Sequence, residues 1–251
     1  MKNLIQKFLS IFGIRIIRSK YARKYLPKPT IENIKILAHL HLLTGKKVTL
    51  MQVGACDGFT SDSIFEYVKK GSINAFLIEP VKVNFNKLED FYKGIENAVL
   101  INSAVADKDE IRPMYSIKDE GKWKDIGWAR QLASFYKEHL LKHGFHDSEI
   151  VEQMVNCKML STIVQDYSIS NLDILLIDTE GFDGEVVKMA LRQGIKPNYI
   201  VFENAQLVQN YCQEELDSLY SELAENGYDW THDRINTMAI KKSYIAETLA
   251  I

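Results

Sequence analysis

The sequence predicts a single doubly wound α/β domain, which is a mostly parallel sheet with helices on both faces. Short apolar and β-branched runs recur along the chain, amphipathic helical segments separate most of them, and glycine turns or acidic residues follow several of them directly. The 251 residues contain no Pro/Gly/Ser-rich linker, which favours one domain over two. A content of 46% hydrophobic and 25% charged residues is that of an ordinary globular protein.

Charge and cysteine content exclude several classes of function. A formal net charge of -2 gives the chain no overall attraction for nucleic acid. Its three cysteines, Cys56, Cys157 and Cys212, are far apart and form no CxxC pair, so neither a disulfide framework nor a zinc site is expected. These features favour a reducing, cytoplasmic setting.

The N-terminal segment, residues 1–30, differs from this average because it is basic and has no acidic residue. Leu4, Ile5, Phe8, Leu9, Phe12 and Ile16 would form one apolar stripe on a helix with cationic flanks. Such a helix suits the surface of an anionic membrane, and a helix packed on the domain explains the pattern equally well. It is too short to span a membrane and has no signal cleavage site. Two expectations therefore stay open for residues 1–28, peripheral contact with the anionic inner face of the membrane and packing of the helix on the domain.

The remaining residues, 31–251, alternate strands with helices. The first strand, Val48–Val53, is an apolar run before a glycine turn, and the last strands are short enough to form an antiparallel hairpin at the edge of the sheet. Right-handed crossovers place the ends of the parallel strands on one edge, where open α/β sheets bind ligands. The other predicted strands are 75–78, 98–105, 173–178, 199–203, 228–231 and 236–241, and the predicted helices are 31–44, 61–70, 83–92 and 214–226.

The stretch from residue 107 to 156 interrupts this alternation. It is long, polar and aromatic, with Trp123, Trp128, Phe135 and Phe145 among several basic residues and three histidines. Insertions of this length usually form a lid or a binding loop. We expect this insertion to form the substrate side of the site.

Two elements together predict a site for a nucleotide cofactor. Gly54 and Gly58 bracket the turn after the first strand and let the backbone approach a ligand closely. Glu79 follows the second strand, where its carboxylate can accept hydrogen bonds from both hydroxyls of a ribose. The Gly-x-Gly-x-x-Gly spacing of dinucleotide enzymes is absent, which argues against a nucleotide-binding oxidoreductase.

Four motifs occur in order along the chain: Val-Gly-Ala-Cys-Asp-Gly-Phe-Thr-Ser-Asp at 53–62, Leu-Ile-Glu-Pro-Val at 77–81, Asn-Ser-Ala-Val-Ala-Asp at 102–107 and Leu-Leu-Ile-Asp-Thr-Glu-Gly-Phe-Asp at 175–183. Together they resemble the FkbM-type methyltransferase family over residues 48 to 240. The resemblance implies a Rossmann-like class I methyltransferase fold with a seven-stranded sheet and a C-terminal antiparallel hairpin. It also implies transfer of a methyl group from S-adenosylmethionine to a hydroxyl oxygen, commonly of a sugar, a polyketide or an envelope glycan.

The resemblance also implies roles for single residues. Gln52 stands where the family of class I enzymes usually has an acid, and Cys56 stands where FkbM relatives commonly have Asn. Asp57 would contact the amino group of the methionine part or cap the next helix, and Glu79 would hold the ribose. The remaining expected contacts are Gly54, Ala55 and Gly58 at the methionine part, Ser103 and Ala104 at the adenine, and Asp178 near the sulfonium.

The candidate bases for removing a proton from the acceptor hydroxyl are Asp178, His139, His143 and His146. His139 and His143 share a face if the segment is helical, and with His146 or Asp147 they could bind a metal. A solvated or substrate-facing helix explains the same residues.

A second possible metal site has Asp178 at the end of one strand and Glu203 and Asn204 at the end of the next. Catechol-type O-methyltransferases have an acid and an acid-Asn pair at the same two strand ends, and these residues hold Mg²⁺. A non-catalytic binding module with the same fold is a further alternative, because Gln52 and Cys56 depart from the expected motif.

Overall fold

The computed structural model describes residues 47–60, 64–124, 126–204, 212–232 and 235–249. The basic segment 1–30, the predicted helix 31–44 and the first residues of the predicted helix 61–70 lie outside these ranges. Within them, no helix is long and apolar enough to cross a membrane.

The main sheet has seven strands in the order β3-β2-β1-β8-β9-β11-β10. The first five are parallel, and β11 runs antiparallel to both β9 and β10. This arrangement confirms the predicted class I methyltransferase fold with its C-terminal hairpin. The strands of this sheet are β1 (Val48–Val53), β2 (Ile73–Ile78), β3 (Ala98–Ile101), β8 (Ile174–Ile177), β9 (Tyr199–Glu203), β10 (Tyr228–His232) and β11 (Asn236–Lys241).

Helices cover both faces of this sheet. Alternate residues of β8 explain why, since Ile174 and Leu176 belong to the apolar core on one face and Leu175 and Ile177 to the core on the other. One face packs against α5 (Leu160–Asp166), α6 (Asp183–Arg192) and α7 (Gln213–Glu225), and the other against α1 (Phe65–Lys69), α2 (Lys82–Phe91) and α8 (Lys242–Leu249).

The predicted strand 98–105 is interrupted in the structure. It ends as β3 at Ile101 and resumes as β4, Ala104–Val105, which pairs with a different sheet. At the break, the Asn102 side chain donates hydrogen bonds to the backbone oxygens of Glu79 and Pro80. Asn102 follows β3 directly, and Glu79 and Pro80 follow β2. These two bonds therefore hold the chain beside the end of β2 where it leaves the main sheet.

Most of the insertion 107–156 folds into a second sheet, which also includes β4 before it and the end of β7 after it. Its assignment as the substrate side of the site stays a prediction. The four strands of this sheet lie in the order β4-β7-β5-β6, and β5 pairs with β7 over eight residues. Met114 on β5 and Val155 and Cys157 on β7 belong to the apolar core of this sheet, whereas Ile111 and Met154 on the same strands are exposed. The elements are β5 (Glu110–Ile117), α3 (Gly127–Gln131), β6 (Ala133–Ser134), α4 (Lys137–Lys142) and β7 (Ile150–Lys158), with 3₁₀ turns at Gly121–Trp123 and Asp147–Glu149.

Gly54 allows the ends of β1 and β8 to meet. Its φ of +89° is one that residues with a side chain rarely adopt. A Cβ atom at this position would lie 1.8 Å from the backbone oxygen of Asp178. The turn is also fixed from the other side, because the N–H groups of Gly54 and Ala55 both donate to the oxygen of Ile78 at 3.0 Å.

We expect Gly54→Ala to lower the free energy of unfolding by about 3 kcal/mol or more, through backbone strain together with the steric overlap. Gly94→Ala is the matched control, since Gly94 has a φ of +80° and nothing within 4 Å of the added Cβ. Only strain of about 1 kcal/mol is expected there. Urea denaturation of both variants measures the difference, and equal losses would show that the close approach to Asp178 is unimportant.

Candidate functional site

A cleft lies at the carboxyl ends of the parallel strands, between the main sheet and the second sheet. The main sheet contributes residues that follow β1, β2 and β8, including Gly54, Glu79 and Asp178. The second sheet contributes an opposite wall that contains Met114 and Phe135. Of the residues predicted to bind cofactor, the cleft is lined by Gly54, Glu79, Ser103, Ala104 and Asp178.

Glu79 ties the turn after β1 to the start of α2. One carboxylate oxygen accepts a hydrogen bond from the N–H of Cys56 and the other from the N–H of Val81, both at 2.9 Å. The residue is buried, and this burial raises the pKa of Glu79 to about 7 against the lowering effect of the two backbone bonds and of Asn84. The two N–H groups and Asn84 occupy three of the four acceptor positions of the carboxylate, so Glu79 can still accept one hydrogen bond from a ligand hydroxyl in the cleft.

The turn residues Ala55, Asp57 and Gly58 shape the cleft without lining it. Asp57 is buried and accepts hydrogen bonds from the N–H groups of Phe59 and Thr60 and from the Thr60 hydroxyl. It thus caps the turn itself, since the helix α1 starts only at Phe65. Cys56 has a φ of +50°, a conformation in which Asn and Gly are the favoured residues.

Ser103 and Ala104 occupy the crossing from the main sheet to the second sheet. The Ser103 hydroxyl lies 2.9 Å from the oxygen of Ala104 and 3.0 Å from that of Asn156 on β7. The Ser103 hydroxyl thus joins the crossing segment to β7 of the second sheet.

Asp178 follows β8 at the centre of the sheet edge. Its side chain is accessible to solvent, yet protein atoms surround it closely because the cleft is concave. This partial desolvation and the charges of Asp183 and Glu203 raise the pKa of Asp178 to about 7. Solvent access to Asp178 weakens the effect of desolvation on its pKa. The repulsion by Asp183 and Glu203 raises the pKa whether or not the side chain is exposed.

Asp183 holds the turn that carries Asp178. One of its carboxylate oxygens accepts from the N–H and the hydroxyl of Thr179, at 3.3 and 3.0 Å, and the other accepts from the N–H of Glu203 at 3.2 Å. The turn needs such support because Glu180 and Gly181 both have positive φ, +53° and +96°. Sequence reasoning missed Asp183, which ends the Asp-Thr-Glu-Gly-Phe-Asp motif but does not line the cleft.

Two aromatic side chains form a lip of the cleft. Phe135, from the second sheet, and Phe182, from the main domain, meet edge to face with ring centroids 5.4 Å apart. The guanidinium of Arg112 lies over the ring of Phe135, 4.3 Å from its centroid. The aromatic content of the insertion had indicated a binding surface, and it could not indicate which of the aromatic residues would face the cleft.

A second cavity adjoins the cleft across Ser134, Glu180 and Phe182, which line both. Of the predicted histidines, only His139 lines this cavity. His143 is exposed, and its ring centroid lies 4.7 Å from that of His139. His146 is exposed at the start of the turn Asp147–Glu149. Burial, His143 and Lys142 lower the pKa of His139 to about 4, so its ring is neutral at pH 7.

The two predicted metal sites gain no support. Among the described residues, no group of three or more His, Cys, Asp or Glu side chains has an arrangement that could hold a metal ion. Asp178 and Glu203 are close enough to repel each other, and Asp183, which also raises the pKa of Asp178, spends its oxygens on backbone and hydroxyl donors. Mg²⁺ at Asp178, Glu203 and Asn204 is therefore not supported by the described residues.

Comparison with known proteins places the chain among methyltransferases. The family model described as the methyltransferase FkbM domain matches residues 52–230. No curated protein matches the chain.

Several solved structures are similar to the chain at low sequence identity. An FkbM methyltransferase from Methylobacillus flagellatus KT is 13% identical with a TM-score of 0.46, over 77% of this chain and 43% of that one. Fibrillarin from Aeropyrum pernix, in complex with natively bound S-adenosyl-L-methionine, is 12% identical with a TM-score of 0.41, over 82% and 73%. Precorrin-6y C5,15-methyltransferase from Geobacter metallireducens GS-15 is 12% identical with a TM-score of 0.41, over 86% and 92%. The chain thus spans less than half of the first of these, and similarity at this level carries no argument about substrate.

Replacing Asp183 tests its role in holding the turn. Asp183→Asn puts an amide N–H₂ against one set of N–H donors, so we expect a loss of roughly 1–3 kcal/mol in the free energy of unfolding. Removing this charge should also lower the pKa of Asp178, which a ¹³C NMR titration of aspartate carboxyl groups would detect.

The control is Asp166→Asn, at an exposed ion pair with Lys158. There the change in stability should stay within about 0.5 kcal/mol and the pKa of Asp178 should not move. An unchanged pKa of Asp178 in Asp183→Asn would contradict the assigned coupling.

Proposed function

Because the chain belongs to the FkbM methyltransferase family, we propose that it transfers a methyl group from S-adenosylmethionine to a hydroxyl oxygen of a sugar, a glycan or a glycolipid. One observation carries the choice of oxygen as the acceptor. Asp178 stands at the centre of the cleft as a carboxylate whose pKa is raised to about 7, which suits a base that accepts a proton near neutral pH. Amines that are already neutral need no such base for methyl transfer.

The residues of the cleft fit S-adenosylmethionine. Glu79 offers a carboxylate oxygen for a ribose, and the backbone of Gly54 lines the cleft beside it. Ile78, Met114 and Phe135 offer an apolar surface for a flat base, with Ser103 and Ala104 at its border. When bound, S-adenosylmethionine supplies an electrophilic methyl group.

The chain's own residues then have two tasks. The cleft walls orient the acceptor hydroxyl in line with the reacting carbon, which supplies much of the rate enhancement in such displacements. Asp178 accepts the hydroxyl proton as the new C–O bond forms. Asp183 and the Gly54 contact keep Asp178 in place, since both fix the turn that carries it.

We also propose that residues 1–28 bring the enzyme to an anionic membrane surface. This segment has eight basic residues and no acidic one, and it lies before the family match at residues 52–230. Polybasic segments gain about 1 kcal/mol per Lys or Arg near such a surface. Peripheral binding would suit an acceptor that is linked to lipid.

The rate of methyl transfer should depend on the ionisation of Asp178. Only the ionised carboxylate accepts a proton, so kcat/KM should rise about tenfold per pH unit below pH 7 and level off above it. Asp178→Asn should lose roughly 100-fold or more in kcat and retain most of its affinity for S-adenosylhomocysteine. Formation of S-adenosylhomocysteine with a panel of sugars and glycolipids measures the rate.

Glu203→Gln is the companion variant, because Glu203 raises the pKa of Asp178 but does not line the cleft. It should shift the rising limb of the pH profile to lower pH and keep the plateau rate. A profile that Asp178→Asn leaves unchanged would show that another group is the base.

Sedimentation with vesicles tests the membrane proposal. The full chain should pellet with vesicles that contain phosphatidylserine and remain in solution with neutral vesicles. Changing Lys2, Lys7, Arg15 and Arg18 to Gln should weaken the affinity for the phosphatidylserine vesicles by roughly 1,000-fold. Pelleting that is the same for both proteins would reject this role of the segment.

A further inference from the structure

The second cavity lies next to the proposed methyl-transfer site and is open to solvent. It shares Ser134, Glu180 and Phe182 with the cleft that contains Asp178. A ligand in this cavity could therefore extend one of its groups past Phe182 to Asp178. The cofactor does not require a second cavity. The residues that line this cavity therefore indicate the chemistry of a second ligand, the methyl acceptor.

The charged residues of this cavity are mostly acidic. Glu138, Glu180, Glu185 and Glu215 line it together with one cation, Lys142. Hydrogen bonds from Cys212 lower the pKa of Glu215, and the ammonium of Lys188 lies 3.4 Å from the carboxylate of Glu185. Ionised carboxylates only accept hydrogen bonds, so this lining favours a ligand that donates many and repels one that is itself anionic.

His139 adds a buried group that needs a partner. Only 9% of the residue is exposed, and its Nε2 makes no hydrogen bond within the described part of the chain. Because the ring is neutral, its nitrogens offer one donor and one acceptor, and a ligand hydroxyl can serve either. A buried polar atom without a partner costs free energy that such a hydroxyl would recover.

Aromatic residues complete the lining. Tyr136 and Phe182 both border the cavity, and their ring centroids lie 6.3 Å apart. Tyr136 is exposed, so a flat apolar surface is available beside the carboxylates. An apolar ring face beside hydrogen-bond acceptors matches a pyranose, which has an apolar face and hydroxyl groups at its edge.

We infer that the second cavity is the acceptor subsite and that it takes a sugar that carries no negative charge, either a neutral pyranose or an amino sugar. This inference rests on the proposed function and adds a selection against phosphorylated and uronic sugars. Glu138 and Glu180 supply the repulsion, and His139 binds a ring hydroxyl. The selected sugar presents a neighbouring hydroxyl to Asp178.

A binding experiment tests this inference without turnover. The full chain, saturated with S-adenosylhomocysteine and labelled with ¹³C in its histidine rings, is titrated with glucose, glucosamine, glucuronate and glucose 6-phosphate. The His139 signal is assigned by its loss in His139→Asn. Glucose and glucosamine should shift this signal, and the two anionic sugars should bind at least roughly tenfold more weakly.

A charge variant and a control make the result specific. The double variant Glu138→Gln, Glu180→Gln should reduce the difference between glucose and glucuronate to about threefold or less. Glu110→Gln with Glu152→Gln, exposed carboxylates of the second sheet outside the cavity, should leave the difference unchanged. Equal binding of glucuronate and glucose, or a His139 signal that none of the four sugars moves, would overturn the inference. Failure of the proposed function would appear separately, as no binding of S-adenosylhomocysteine by calorimetry or no methyl transfer.

Discussion

The close contact between Gly54 and the backbone oxygen of Asp178 is the constraint on which the site depends. A Cβ atom would lie 1.8 Å from that oxygen, so only glycine lets the ends of β1 and β8 approach to this distance. This contact fixes both the turn after β1, which lines the cleft, and Asp178 at the centre of the cleft. The two halves of the proposed reaction, cofactor binding and proton acceptance, thus share one piece of backbone.

Buried carboxylates extend this constraint to the neighbouring strands. Glu79 joins the turn after β1 to the start of α2, and Asp183 joins the turn after β8 to the end of β9. Each carboxylate stabilises its turn through hydrogen bonds, because it accepts from several N–H groups that the turn would otherwise leave unpaired. The burial that permits this also raises the pKa of both groups. The neighbouring acids Asp183 and Glu203 also raise the pKa of Asp178 to about 7, which suits a base.

The fold class and the residues at the strand ends were predictable, and the opposite wall of the cleft was not. Apolar runs followed by glycine or acid indicated β1, β2, β8 and β9, and parallel strands must bring Gly54, Glu79 and Asp178 to one edge. The second sheet was missed because its long strands β5 and β7 mix polar and apolar residues without strict alternation, and Ile111 and Met154 on them are exposed. Asp183 was missed because its role is set by hydrogen bonds to a turn with two positive φ values, which no local pattern encodes. Predictions for the basic segment 1–28 concern residues that the structure does not describe.

The fate of the methyl group tests the central claim most directly. S-adenosylmethionine with a ¹³C-labelled methyl group would be incubated with the full chain and a mixture of glycans and glycolipids, and the labelled product examined by NMR. We predict that the labelled carbon is bonded to an oxygen of a sugar, with one S-adenosylhomocysteine formed per methyl group transferred. A labelled carbon bonded to nitrogen or to carbon would contradict the assignment of Asp178 as the base for a hydroxyl acceptor.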